Sequence, residues 1–301
     1  MFEFSNKKTN KMKYFSIVFL VLIISFTSCK NKSKNDIENE NNPLNLSVMT
    51  YNIRLDVASD GENSWANRKD FLSTQVQFHS PDIMGVQEAR SNQMTDLKSA
   101  LKDYKTIGIG RDGDDKGEYS AIFYNAKKIS VENENTFWLS ETPNKVSMGW
   151  DAAYPRICTY GLFTLLENNK KIWVFNTHLD HVGSQAQLQG IQLILKKIDI
   201  LNSNDFPVIL MGDFNVEPNS ELITNLKRNM NDSKEKAKLV FGSNGTFNGF
   251  NFEELVTRRI DYIMLSKSNT IEVEKYGVLS SSIDLKYPSD HFPVLIELLV
   301  K

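Results

Sequence analysis

Short apolar runs rich in β-branched and aromatic residues recur along the chain at residues 46–51, 82–86, 119–124, 157–165, 172–176, 207–211, 260–265 and 292–298. Their length and the polar breaks between them predict strands. Between several of them the period becomes helical: Trp65, Leu72 and Val76 fall on one face, and Leu188, Ile191, Leu195 and Ile198 on another. No repeat, linker or low-complexity break interrupts residues 44–301, which are expected to form a single mixed α/β domain. With 301 residues and 41% hydrophobic content, the chain can fill one large core.

A second regularity lies at the ends of the strands. Asn52 comes after the first, Glu88 after the second, His178 after residues 172–176, and Asp213 with Asn215 after residues 207–211. Side chains at strand ends converge on one rim of a sheet, where α/β proteins bind their ligands.

The N-terminal region breaks the pattern. Lys7, Lys8, Lys11 and Lys13 precede an uncharged apolar run over residues 14–27. That run is short of the roughly 20 residues a spanning helix needs, and a basic stretch before it marks an export signal over residues 1–28. It closes on Phe26, Thr27, Ser28 and Cys29. Small residues directly before a cysteine resemble a bacterial lipobox, although Phe26 departs from the usual aliphatic residue. Cys29 is therefore expected to carry lipid, and the protein to be exported and anchored to a bacterial cell membrane, periplasmic or surface-facing. Residues 29–43 have little to bury and are read as a disordered tether. The only other cysteine is Cys158, which excludes a disulfide scaffold.

Charge narrows the partner. The whole chain carries −2, and residues 1–28 hold four Lys and one Glu, so the remainder carries −5. Proteins that grip long nucleic acid ordinarily present a basic surface. This chain has no such surplus, which disfavours long nucleic acid as its main partner.

Candidate chemistry lies in Thr50-Tyr51-Asn52-Ile53, Gly85-Val86-Gln87-Glu88-Ala89, Asn176-Thr177-His178-Leu179-Asp180-His181, Gly212-Asp213-Phe214-Asn215, Arg259-Ile260-Asp261-Tyr262-Ile263 and Ser289-Asp290-His291-Phe292-Pro293. A lone Asp or His after a strand more often serves a turn or a helix cap. In this order and spacing, however, the segments resemble the endonuclease/exonuclease/phosphatase superfamily from Asn52 to Pro293, with Gly-Asp-Phe-Asn and the later Ser-Asp-His the most diagnostic pair. The resemblance implies a four-layer DNase I-like sandwich, two mixed β-sheets packed together and flanked by helices, with one divalent-metal site at its rim.

Elementary chemistry agrees with that. Hydrolysing a phosphoester calls for an aligned water, a base for it, and donors for the charge that builds on the phosphoryl oxygens. Glu88, Asn52 and Asp290 make a hard-oxygen ligand set suited to Mg²⁺ or Mn²⁺. By the resemblance, Asp213 is the general base, Asn215 orients water or phosphate, and His178 and His291 donate to phosphoryl oxygens. It further implies that Asp261 backs His291, that Glu118 backs His178, and that Arg156 binds phosphate through its fork of donors. Zinc on His178, Asp180 and His181 is disfavoured in a chain with four His, and Asp180 and His181 are read as shaping the pocket rim. Trp138 is expected in the core; Trp150 could equally pack or stack on a base or sugar. Segments 60–65, 110–113, 137–143 and 149–153 resemble a bacterial branch of the superfamily and carry no assigned role.

The expected protein is thus a monomeric, divalent-metal-dependent phosphoesterase acting by metal-assisted water attack on a phosphodiester or phosphomonoester. A small molecule or lipid headgroup is favoured over long nucleic acid. A secreted DNase- or RNase-type endonuclease and a catalytically silent binding lipoprotein on the same fold stay open as alternatives.

Overall fold

A computed structural model describes residues 43–301. The export signal, Cys29 and nearly all of the tether expected from sequence lie outside the described residues. The described residues form thirteen strands: β1 (Leu44–Asn52), β2 (Ile83–Gln87), β3 (Tyr104–Ile107), β4 (Ile122–Asn125), β5 (Ile129–Trp138), β6 (Ile157–Leu165), β7 (Lys171–His178), β8 (Val208–Asp213), β9 (Met230–Asp232), β10 (Leu239–Gly242), β11 (Asp261–Ser266), β12 (Ile271–Val278) and β13 (Val294–Val300). The main helices are α1 (Trp65–His79), α2 (Ser91–Ala100), α3 (Ser184–Leu201) and α4 (Glu221–Leu226).

One sheet has seven strands in the order β10-β12-β13-β1-β2-β4-β3, and the other has six in the order β5-β6-β7-β8-β11-β9. Both are mixed: β1 runs parallel to β2 and β7 to β8, while β13 and β11 run antiparallel to β1 and β8. The sheets face each other across a gap filled by Val48, Ile83, Ile209, Met211, Ile263 and Ile296, among others. On the outer face of the first sheet, Trp65, Leu72 and Val76 of α1 and Met94 and Leu97 of α2 cover Met49, Met84 and Val86. Ile191, Ile194 and Ile198 of α3 and Ile223 of α4 cover Phe175, Leu210 and Met264 on the second. Helix, sheet, sheet and helix make the four layers expected. No helix among the described residues is long and apolar enough to cross a membrane.

Departures from the sequence reading have local causes. Both β5 and β12 escaped it because a bulge breaks their period of two, between Glu132 and Asn135 in one and between Val273 and Lys275 in the other. Residues 119–124 form a shorter strand than expected, and Tyr119 instead bridges Ala89 and Gly110. Helix α3 buries Ala186, Gly190, Ile191, Ile194 and Ile198, leaving Leu188 and Leu195 half-buried. Its contact face is centred on small residues: a Cβ on Gly190 would lie 3.2 Å from Leu139.

Candidate active site

Strand periodicity places the site. Along β8, Ile209 and Met211 point into the inter-sheet gap, so Asp213 does too. The same parity sends Asn52 inward after Leu46 and Val48, His178 after Ile172 and Val174, and Asp261 before Ile263 and Leu265. Register then aligns them, because His178 pairs with Asp213 on a parallel neighbour and Asp213 with Asp261 on an antiparallel one. Antiparallel strands bring their N-terminal ends to this rim. That is how Asp261 and the Asp290-His291 pair ahead of β13 join residues at the C-terminal ends of β1, β7 and β8.

A buried polar layer separates these groups from the apolar core and ties the sheets together. Asn176 Nδ2 donates to the carbonyls of Val86 and Ala121, both at 2.9 Å. Gln87 Nε2 donates to Asn176 Oδ1 at 2.7 Å and to Thr50 Oγ1 at 3.0 Å. Glycine is required beneath it, since a Cβ on Gly85 would sit 2.6 Å from Asn176 Oδ1.

Asp213 is the hub. Its Oδ1 accepts from the backbone N–H of Asn215 at 2.9 Å, and Oδ2 accepts from Asn52 Nδ2 at 2.9 Å. Nε2 of His178 and of His291 lie 3.5 and 3.7 Å from the same Oδ2. The Asn52 amide also reaches Glu88 Oε1 at 2.9 Å, while Leu55 N–H donates to Glu88 Oε2 at 3.0 Å. Asn52 turns its nitrogen toward these carboxylates, and its oxygen accepts from Arg54 N–H at 3.0 Å. Burial, and next the charge of Asp261, push the Asp213 carboxyl well above the usual carboxylate range. Asp290 is raised to about 6, chiefly by burial, with Glu88 adding to the rise.

The two histidines differ. His291 Nδ1 lies 2.9 Å from Asp261 Oδ2. Burial disfavours its cation, yet Asp261 and Asp213 outweigh that and raise it to about 10. His178 is held well below its ordinary value, by burial first and by the Arg156 charge next. The Asn215 amide nitrogen donates to the Leu179 carbonyl at 3.0 Å, which fixes its orientation and makes it the donor to His178 Nε2, also at 3.0 Å. In this state His178 accepts, where the resemblance has it donate.

Glu118 does not back His178. Its carboxylate is held by a bidentate pair with Arg111, both contacts at 2.8 Å. A charged fork satisfies a half-buried carboxylate better than a neutral imidazole can. Arg156 is buried, and its Nε donates to Asp180 Oδ2 at 3.2 Å while another nitrogen lies 3.1 Å from His181 Nδ1. Asp180 organises the segments around it: burial opposes its charge, but backbone N–H groups of Gly183, Val182 and Ala153 hold its carboxyl down to about 2. Trp138 is buried as expected and donates from Nε1 to the Arg111 carbonyl at 2.7 Å. Trp150 is half-buried with φ of +51°.

Sequence reasoning missed Arg54 and Arg68. Arg54 forms a bidentate pair with Asp60 at 2.9 and 2.8 Å and lies 3.8 Å from Asp290. Arg68 is buried and donates to the carbonyls of Ile53, Arg54, Asn63 and Pro288, stapling the exit of β1 to the segment carrying Asp290 and His291. Their one signal in the sequence was the distinctive segment 60–65.

Glu88, His178 and Asp213 offer ligand atoms within 4.8 Å of one another, as do Asp213, Asp261 and His291. Carboxylates dominate both sets, and the Asp290 carboxyl feels the charge of Glu88, so the donors fit a hard divalent cation.

Comparison with known proteins bears on this arrangement. The pattern of the Endonuclease/Exonuclease/phosphatase family matches residues 49–291. Among solved structures, an endonuclease/exonuclease/phosphatase family protein from Bacteroides thetaiotaomicron is 38% identical, with a TM-score of 0.82 over 86% of this chain and 99% of that one. A mannosyl-6-phosphatase from the same organism is 39% identical, with a TM-score of 0.80 over 84% of this chain and 99% of that one. A mimivirus protein of unassigned function is 31% identical over 173 residues, 55% of this chain and 64% of that protein, so the chain spans less than two thirds of that relative. A family pattern covering nearly the whole folded region, on a rim assembled from that pattern's own segments, shows that the chain belongs to the endonuclease/exonuclease/phosphatase family.

Proposed function

We propose that the chain is a divalent-metal-dependent phosphoesterase acting on a compact substrate, with a phosphomonoester favoured over a diester. One observation carries the reading: a buried carboxylate, Asp213, faces two histidine nitrogens, and one of these histidines is itself backed by Asp261. The preference for a monoester is supported by the likeness to the mannosyl-6-phosphatase and by the absence of a basic surplus.

Glu88 and Asp290 would hold Mg²⁺ or Mn²⁺, while Asn52, the third ligand expected from sequence, has its oxygen taken by Arg54 N–H and its nitrogen on Glu88 and Asp213; the ion supplies polarisation of a phosphoryl oxygen and a more acidic water. Asp213 takes the proton from the attacking water, its raised carboxyl bringing its basicity nearer neutral pH. His291 enters as a cation and stabilises the charge gathering on phosphoryl oxygens, while Asp261 fixes its tautomer and orientation. Asn215 holds both Asp213 Oδ1 and His178 Nε2, keeping the base and the neighbouring ring in one geometry.

The test is turnover by the purified protein on mannose 6-phosphate, p-nitrophenyl phosphate, a phosphodiester, RNA and plasmid DNA, with and without chelator. Activity should vanish in chelator and return with Mg²⁺ or Mn²⁺. Full turnover in excess chelator would overturn the reading.

Export and lipid attachment at Cys29 belong to the same proposal and rest on the basic stretch, the short apolar run and the small residues before the cysteine. Cys29→Ala should release the protein from membranes or leave an unprocessed precursor. Unchanged fractionation and mass would remove lipidation from the account.

A further inference from the structure

Next to the reacting cluster, residues 110–118 build a second polar surface for which hydrolysis itself has no use. The segment folds back on itself: Gly110 N–H donates to the Asp114 carbonyl at 2.8 Å, Arg111 N–H to that of Glu118 at 2.9 Å, and Asp112 N–H to that of Lys116 at 3.1 Å. Gly117 has φ of +75°, and a Cβ there would come 2.4 Å from Asp112 Oδ2, so the turn closes only with glycine. At its end, Tyr119 N–H donates to the Ala89 carbonyl at 2.8 Å in an antiparallel bridge, which ties the segment to the exit of β2 with Glu118 on the Arg90 side. Trp138 holds the Arg111 carbonyl from below.

The side chains so presented form a mixed array. Arg111 and Glu118 face each other through two parallel contacts of 2.8 Å. The guanidinium lies 4.9 Å from the centre of the Tyr154 ring, and Tyr154 stacks on His181 at 5.9 Å. Tyr154 stays 50% exposed, which leaves part of the ring open to a ligand. A cleft of about 640 Å³ opens at the pair, lined by Arg90, Asn92, Arg111, Asp115 and Glu118 among others. The array is within electrostatic reach of the reacting groups, since Arg111 helps hold His178 neutral and Glu88 helps raise Glu118.

Charge balance decides what such a surface can bind. Arg111 is neutralised by Glu118, and Asp112 and Asp115 together outweigh Arg90, so the lining keeps a net negative charge that a second phosphate would meet as repulsion. What remains is a set of donors and acceptors beside an aromatic ring, which suits hydroxyl groups on an apolar ring. We propose that Arg111, Glu118 and Tyr154 form the subsite for the leaving group, and that this group is uncharged and polyhydroxylated: a sugar carrying a single phosphate. The assignment rests on the hydrolytic reading for the position of the phosphate, and it gives Glu118 a place that backing His178 does not.

The test compares Glu118→Gln, Arg111→Lys and Tyr154→Leu with the wild type on mannose 6-phosphate, fructose 1,6-bisphosphate and p-nitrophenyl phosphate. The ratio of kcat/KM for mannose 6-phosphate over p-nitrophenyl phosphate should fall at least about tenfold in each variant, because only the sugar offers hydroxyls to the pair. Equal losses on both substrates would overturn the subsite, as would a wild-type preference for the bisphosphate. Should Glu118→Gln fail to fold by melting, half-exposed Tyr154→Leu reads the same ratio. Calorimetric binding of mannose 6-phosphate in chelator separates the two proposals. If the wild type hydrolyses none of the three, the hydrolytic reading fails on its own; weaker binding in Glu118→Gln then still supports the subsite, and undiminished binding sinks it.

Discussion

His178 and His291 both approach one carboxylate oxygen, 3.5 and 3.7 Å from Asp213 Oδ2, and both are buried. Their states are nonetheless opposite: His291 is raised to about 10, and His178 is held well below its ordinary value. Burial acts against the cation at both. The difference lies in the second contact, a carboxylate on His291 Nδ1 and an amide on His178 Nε2, together with Arg156 and Arg111 near His178. Residue type and depth therefore leave the charge of a buried histidine undetermined; its partner sets it. One wall of the site is cationic and one neutral, an asymmetry suited to holding a phosphate without neutralising the base between them.

Several substitutions would break this asymmetry, and the largest effect belongs to its hub. Asp213→Asn should lower kcat by roughly two to four orders of magnitude with little change in KM, since it removes the base and both histidines lose their shared neighbour. Wild-type kcat in that variant would dismiss Asp213 as the base. Next comes the cationic wall. His291→Ala and Asp261→Asn should each lower kcat by roughly tenfold or more, and the double variant should lose little beyond His291→Ala, because Asp261 acts through His291. Strictly additive losses would show that Asp261 works by another route.

A subtler contrast can be read without turnover. In chelator, NMR should show His291 keeping its proton well above the ordinary value near 6.5, toward about 10, while His178, held down by burial and the Arg156 charge, stays neutral well below it. Matching midpoints would erase the asymmetry. Stability obeys the same linkage: His291 is raised on folding, so its contribution is complete below about pH 6.5 and is lost as the pH climbs toward 10. Asp261→Asn should flatten the fall in stability across that window. The smallest expected effect is that of salt, with kcat/KM on the preferred substrate changing by less than about tenfold between low and physiological ionic strength, far short of the loss six phosphate contacts would bring. A steep salt slope with rapid plasmid nicking would return the assignment to a nuclease.

The floor and the rim of the site were not equally legible. Asn52, Glu88, His178 and Asp213 could be named from sequence because each follows a strand, where apolar alternation gives way to a polar residue, while Asp261 and His291 were found through the segments that carry the family resemblance. Arg68 could not. It is one charged residue within a helix, and its four carbonyl acceptors come from positions 53, 54, 63 and 288, which only the fold brings together. Glu118 was found but given the wrong neighbour. A carboxylate's partner depends on which donor arrives with charge and matching geometry, and Arg111, seven residues earlier, reaches it through a turn that periodicity does not describe.

Alternation along β1, β7, β8 and β11 is a property of the sequence by itself, and it determined which side chains share the face that lines the inter-sheet gap, hence which polar residues could meet at its rim. It also determined the class of chemistry, through a donor set dominated by carboxylates. Tertiary structure alone decided the protonation states and the pairings. These depend on how far water is excluded and on which charges lie within a few ångströms, and both are set by sheet register and loop closure between residues far apart in the chain.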